Sequence, residues 1–230
     1  MPVLVALHQY CYPLVPDIAC SAFLAAQSSL RARACAEAIK RGQNVRNKTA
    51  GICKQLLTKL SAFLAKAGDA LSHENRAIIL CLYDAIGRAS EVSVLNLDNI
   101  YWDPDDEMLW TGWNQVKTGR CTEISYHPDA ESFLLDVYNA LAVYIITSGG
   151  KLSKNSNPDQ PNWLFPGLEK LADGGAASRV TRLLTQLFEQ ESVPGLLKEH
   201  GSHGLRAGPS DDLAMNELVD VVSIICRGDW

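Results

Sequence analysis

Apolar residues recur at helical spacing through Ile52, Leu56, Leu60, Phe63 and Leu64, with lysines between them, and predict an amphipathic helix over residues 48–66. Upstream, residues 22–40 are Ala-rich and helix-favouring, and Arg41-Gly42-Gln43-Asn44 breaks them. Ser72 is placed to cap a further helix whose run of Ala77, Ile78, Leu80, Cys81 and Leu82 is apolar enough to be buried before Gly87. A short helix follows over 90–97, and Asp103-Pro104-Asp105-Asp106 makes a turn. Between 108 and 126 two β-rich runs flank Lys117-Thr118-Gly119-Arg120, the pattern of a hairpin. A long helix is expected over 129–147, turning Phe133, Leu134, Val137, Leu141 and Ile145 inward. It gives way to a polar loop over 149–162 and a short strand, Trp163-Leu164-Phe165, which Pro166 closes. Further helices are expected over 176–191, around 203–215 and over 217–227. The predicted fold class is mainly α with a small antiparallel β-sheet, an α+β arrangement.

Composition alters this picture little. A chain of 230 residues, 47% hydrophobic and 20% charged, fits one globular domain or one domain with a fragment, and excludes disordered and collagen-like classes. No apolar run approaches the roughly 18 residues of a membrane helix, so no membrane partner is expected. Seven cysteines without a C-x-x-C pair suggest neither a disulfide framework nor a zinc ribbon, and point to a reducing, intracellular setting. The apolar start at 3–7 has no basic flank and is interrupted by His8 and Pro13, so no signal peptide is expected.

Charge changes the picture more. The net charge is −5, but residues 1–70 hold nine Lys and Arg against three Asp and Glu, a local balance of +6, and the remainder stands at −11. A basic segment of this kind is the footprint of phosphate-backbone contact, with Arg41, Arg46, Lys48 and Lys54 as DNA-binding candidates; a solvated lysine face on a helix is the plainer alternative.

Three short segments could carry chemistry. In Gly87-Arg88-Ala89-Ser90-Glu91, an interhelical turn would hold a guanidinium beside a carboxylate, preorganised to grip a phosphate bidentately. Gly87 as a plain helix C-cap, Ser90 as the next N-cap and Arg88 in solvent is the simpler reading. Lys117 at a hairpin tip is either an ordinary turn lysine or a mobile proton donor to a leaving alkoxide. In His203-Gly204-Leu205-Arg206, residues at i and i+3 share a helix face, so His203 and Arg206 would point at one group. His200 and His203 with Cys226 lack a recognisable further ligand, so no metal site is expected.

Together these segments resemble the catalytic domain of tyrosine recombinases, the phage integrase family, and its Cre-like members in particular. The resemblance rests on residues 82–92 with Gly87-Arg88-Ala89-Ser90-Glu91-Val92, the hairpin with Lys117, Trp163-Leu164-Phe165-Pro166, the box His203-Gly204-Leu205-Arg206 and the ending Arg227-Gly228-Asp229-Trp230. It covers about residues 46 to 230. It implies a DNA strand transferase of recombination, integration and mobile elements, acting on duplex DNA and self-associating there, with no metal or nucleotide cofactor. Arg88 and Arg206 would clamp the scissile phosphate, His203 would exchange a proton on the nucleophile side, and Lys117 would be the general acid for the departing 5′-hydroxyl. Trp230 would hydrogen-bond the phosphate, and Glu91 would support the network. The family's nucleophilic tyrosine would lie downstream of Trp230, whereas the tyrosines here, at 10, 12, 83, 101, 126, 138 and 144, all precede His203. No nucleophile is therefore assigned in this chain. A fragment of a longer protein or a non-cleaving, DNA-binding descendant is expected, and an unrelated α-helical interaction module is the other reading. Residues 1–45 would be a helical remnant of the family's core-binding domain, too short to be stable alone. Pro209 is expected to break the helix after Gly208 or to restart it in a first turn.

Overall fold

The computed structural model describes residues 50–114, 121–126, 128–129, 132–148, 161–166, 168 and 175–214, all within a unit spanning Thr49–Asp229. The segment 1–45, the hairpin tip, most of the polar loop, the helix expected over 217–227 and Trp230 lie outside the described residues. The spacing that begins at Ile52 produces helix α1, Lys54–Ala67, with Leu56, Leu57, Leu60 and Leu64 as its buried stripe. Helix α2, Ala70–Asp84, begins earlier than expected. Asp69, not Ser72, is its N-cap, accepting the Ser72 N–H at 3.0 Å and the Ser72 hydroxyl at 2.6 Å. A carboxylate is the stronger acceptor at the positive end of a helix, and these bonds hold the Asp69 carboxyl below its ordinary value.

After the four-residue helix α3, Ala89–Val92, and a 3₁₀ turn at Leu97–Asn99, the chain forms a three-stranded antiparallel sheet in the order β1-β2-β3. The hairpin partners are β2, Met108–Asn114, and β3, Cys121–Tyr126, paired from Leu109↔Tyr126 to Asn114↔Cys121. Strand β1, Ile100–Asp103, was not expected; it pairs Ile100↔Thr111 through Asp103↔Met108. The turn after it is the expected one, with the Asp103 carboxylate accepting the Asp105 N–H at 3.0 Å. The segment Trp163-Leu164-Phe165 makes a single bridge, Asn96↔Trp163, rather than a strand, and buries Leu164 and Phe165 completely.

The helix expected over 129–147 is shorter: α4 is Val137–Thr147, capped by the Asp136 carboxylate. Buried Arg76 of α2 donates to the Phe133 carbonyl and to Asn139, and the Ser61 hydroxyl of α1 donates to the Leu134 carbonyl. These tertiary partners take carbonyls that a longer helix would use. Phe133 and Ile145 are exposed rather than inward. Helix α5 is Gly175–Glu189 and α6 is Gly204–Ala214. Helix α6 runs through Pro209 without breaking, although proline offers no N–H to the carbonyl of Leu205. Its backbone is seated on the strip 50–52: the Ile52 N–H donates to the Gly204 carbonyl at 2.9 Å, and a Cβ on Gly208 would lie 1.9 Å from the Ile52 carbonyl oxygen. Helices α1, α2, α4 and α6 share one apolar core, with α5 packed on α3. No helix among the described residues is long and apolar enough to cross a membrane.

Candidate functional site

The turn that carries Arg88 is built by strain and close packing. The Gly87 N–H reaches back to the Leu82 carbonyl at 3.0 Å and closes α2. The left-handed residue of this closure is Ile86, with φ of 52°, and not the glycine expected from sequence. A β-branched residue there costs on the order of 1–3 kcal/mol. Gly87 is needed for space instead, since a Cβ would lie 2.4 Å from Cζ3 of Trp113. The Trp113 ring is itself held by its Nε1–H donating to Thr111 Oγ1 at 2.8 Å.

Arg88, rather than Ser90, then takes the N-cap position of α3. The Glu91 carboxylate accepts the Arg88 backbone N–H at 2.8 Å through Oε2 and its Nη1 at 2.6 Å through Oε1. One buried carboxylate thus fixes both the backbone and the guanidinium, while the Arg88 side chain stays about a third exposed toward a pocket. Charge-assisted bonds of this type orient an arginine.

The opposite wall is the start of α6. The His203 carbonyl accepts the Arg206 and Ala207 N–H groups at 3.2 and 2.9 Å, so His203 and Arg206 stand one helical turn apart. His203 is exposed and Arg206 half-buried. The third wall is the first turn of α5, contributed by Ala176 and Ala177. These elements enclose a cavity of about 300 Å³ in which Arg88, His203 and Arg206 meet, with Ser90 and Ser202 beside them. Among the described residues none of the lining groups is acidic. The N-terminal ends of α5 and α6 add the positive ends of two helix dipoles. The arrangement suits a compact anion with several acceptor oxygens.

The structure therefore brings together Arg88, Glu91, His203 and Arg206. Lys54 begins α1 with an exposed side chain, its backbone N–H on Asp212 at 3.1 Å, and it does not line the pocket. Arg41, Arg46, Lys48, Lys117 and Trp230 lie outside the described residues. Sequence reasoning missed Ala176, Ala177 and Trp113. The run of small residues from Gly174 to Ser178 was the one available signal for the first two, marking a place where backbone approaches closely. Among the described residues no three His, Cys, Asp or Glu side chains gather as a metal site. The His200 Nδ1 accepts the Leu197 N–H at 2.9 Å.

Solved structures share this fold, among them two complexes of one recombinase. The XerH site-specific recombinase bound to palindromic difH substrate, in a post-cleavage complex, is 14% identical with a TM-score of 0.57, over 81% of this chain and 48% of that one. The XerH pre-cleavage complex with difH is 14% identical with a TM-score of 0.55, over 80% of this chain and 49% of that one. The likeness is one of fold: the chain has a recombinase-like fold and spans about half the length of those chains. No protein-family model matches the sequence, and no curated protein matches it.

Proposed function

We propose that residues 46–230 are a DNA-binding domain of the tyrosine-recombinase type, Cre-like in its motifs, whose pocket grips one phosphate of the DNA backbone. The observation that carries this reading is the meeting of Arg88 with His203 and Arg206, a pair far from it in sequence, in one cavity with no acidic lining among the described residues. Arg88 and Arg206 donate to the non-bridging oxygens and oppose the charge that builds up on a pentavalent phosphorus. The carboxylate of Glu91 keeps Arg88 in place for this, so no reorganisation is required as charge develops. His203 exchanges a proton on the nucleophile side. On the strength of the sequence resemblance, Lys117 protonates the departing 5′-hydroxyl and Trp230 adds an indole N–H. Arg41, Arg46, Lys48 and Lys54 neutralise flanking phosphates. In the intact protein, breakage and rejoining pass through a 3′-phosphotyrosyl bond on a tyrosine downstream of these residues.

The reading is tested by duplex binding over a range of salt. Affinity is expected to fall steeply, with a log–log slope of about −0.9 for each phosphate neutralised. An affinity absent, or indifferent to salt, would reject it in favour of an interaction module.

The 230 residues hold no tyrosine after His203, so the chain alone is expected to form no covalent adduct with a suicide substrate. Two earlier phenols are poor substitutes. Tyr83 donates to Asp212 at 2.6 Å and Tyr144 to the Leu164 carbonyl at 3.0 Å, and burial pushes both phenols up from their ordinary value. Denaturing electrophoresis with a labelled strand checks this; a shifted band that maps within 1–230 would contradict it.

A further inference from the structure

We propose that Asp212 is a positioning residue for the phosphate pocket: its carboxylate caps α1 from the far end of α6 and so fixes the register in which α6, with Arg206 on it, lies along residues 50–54. The inference deepens the reading of the pocket as a phosphate site and rests on it for the effect on phosphate.

Helix α1 starts without an acceptor of its own. Its N-cap, Cys53, makes no side-chain bond, and its first turn holds no acidic residue. The N–H groups of a first turn need an acceptor from elsewhere, and a negative charge there also meets the positive end of the helix dipole. Asp212, 158 residues away in sequence, supplies both, its Oδ2 accepting the Lys54 N–H at 3.1 Å. The same oxygen accepts the hydroxyl of Tyr83, in the last turn of α2, at 2.6 Å. A single carboxylate oxygen of α6 thus joins the start of α1 to the end of α2.

Asp212 also completes a series. Gly204, Gly208 and Asp212 are spaced by four and share one face of α6. A Cβ on Gly204 would lie 2.6 Å from the Ala50 carbonyl oxygen, Gly208 rests on Ile52, and Asp212 meets the Lys54 N–H. The partners advance by two as the helix advances by four. Four helical residues rise about 6 Å and two extended residues about 6.6 Å, so helix and strip stay in step. The two glycines let α6 come close, but they carry no side chain that would stop it from sliding. Hydrogen bonds at the two ends do that, the Ile52 N–H on the Gly204 carbonyl at 2.9 Å and the Lys54 N–H on Asp212. Arg206 follows Gly204 by two residues, about 200° round the helix. It therefore stands on the face opposite the strip, where it lines the cavity with Arg88 and His203. Any slide or tilt of α6 on residues 50–54 carries Arg206 with it.

The test uses the full chain and inorganic phosphate, a probe that fills the pocket without engaging the wider DNA surface. Asp212→Asn keeps an acceptor oxygen for the Lys54 N–H, and Asp212→Ala removes it. Asp69→Ala is the control, because it takes the same kind of cap from α2 at the end opposite Tyr83. Phosphate affinity is expected to fall about fivefold in Asp212→Ala and to stay within about twofold of the wild type in Asp212→Asn and Asp69→Ala. In NMR spectra of the ligand-free chain, the Lys54 amide and the Arg206 Nε–H are expected to shift in Asp212→Ala and to return in Asp212→Asn. An Arg206 signal that ignores Asp212→Ala would overturn the proposal. So would an Asp212→Asn protein as weak as Asp212→Ala, or an equal loss in Asp69→Ala, which would reduce the effect to stability. If Asp212→Ala does not fold, Tyr83→Phe removes the other partner of the same oxygen, and an Arg206 signal unmoved by it overturns the proposal as well. If Arg206 moves as expected while phosphate leaves the wild-type pocket unperturbed, the positioning role stands and the phosphate reading of the pocket fails.

Discussion

Replacing Arg206 or Arg88 with alanine, in a form of the protein that carries a tyrosine downstream of His203, is expected to lower strand cleavage by about 10²–10³-fold or more. Duplex affinity should fall by less than about tenfold, because binding is spread over many phosphates. The asymmetry follows from where charge accumulates. Ground-state contacts are shared along the backbone, whereas the extra negative charge of the transition state is concentrated on the one phosphorus that these two side chains flank. Arg88 is aimed by Glu91 through bonds of 2.6 and 2.8 Å, so its removal also leaves a buried carboxylate without its guanidinium. Parallel measurement of single-turnover cleavage and of equilibrium binding checks the prediction. Equal losses in both would assign the arginines to the fold or to the general DNA surface.

Gly208→Ala is expected to destabilise the domain by about 3 kcal/mol, the upper end of what overpacking typically costs. The added methyl would sit 1.9 Å from the Ile52 carbonyl oxygen, 2.5 Å from the carbonyl carbon and 2.9 Å from the Ile52 nitrogen. All three are main-chain atoms, so no side-chain rotation relieves the clash. Helix α6 must lift away from the strip 50–52, which breaks the Ile52-to-Gly204 hydrogen bond and displaces His203 and Arg206. Denaturant unfolding measures the loss, and salt-dependent DNA affinity should fall with it. A change below about 1 kcal/mol would mean that α6 does not seat on Ile52 in this way.

Legibility in the sequence followed the range of the forces involved. The stripe of Leu56, Leu60 and Leu64 and the apolar run through α2 announced helices because a 3.6-residue period is a local signal. Strand β1 was silent: four residues with both central positions exposed carry no alternation to detect. The overshoot at 129–147 has a different origin, since Arg76 and Ser61 lie far away in sequence and their claim on the Phe133 and Leu134 carbonyls cannot be read from the segment itself. Pro209 shows the converse, a local breaker overridden by the seat that Gly208 gives α6.

The site divides in the same way. By itself the sequence determined which residue types could handle a phosphate and at which element boundaries they stand, Arg88 and Glu91 three apart and His203 and Arg206 three apart, because hydrogen-bonding chemistry and one helical turn are both local properties. Only the tertiary structure decided that these two pairs face one cavity, that Ala176 and Ala177 close it, and that Ile86 rather than Gly87 adopts the left-handed conformation beside it. Those outcomes depend on how α3, α5 and α6 pack and on Trp113 pressing against Gly87. Contacts between elements distant along the chain arise from close packing of the whole core, and no short stretch of sequence contains that constraint.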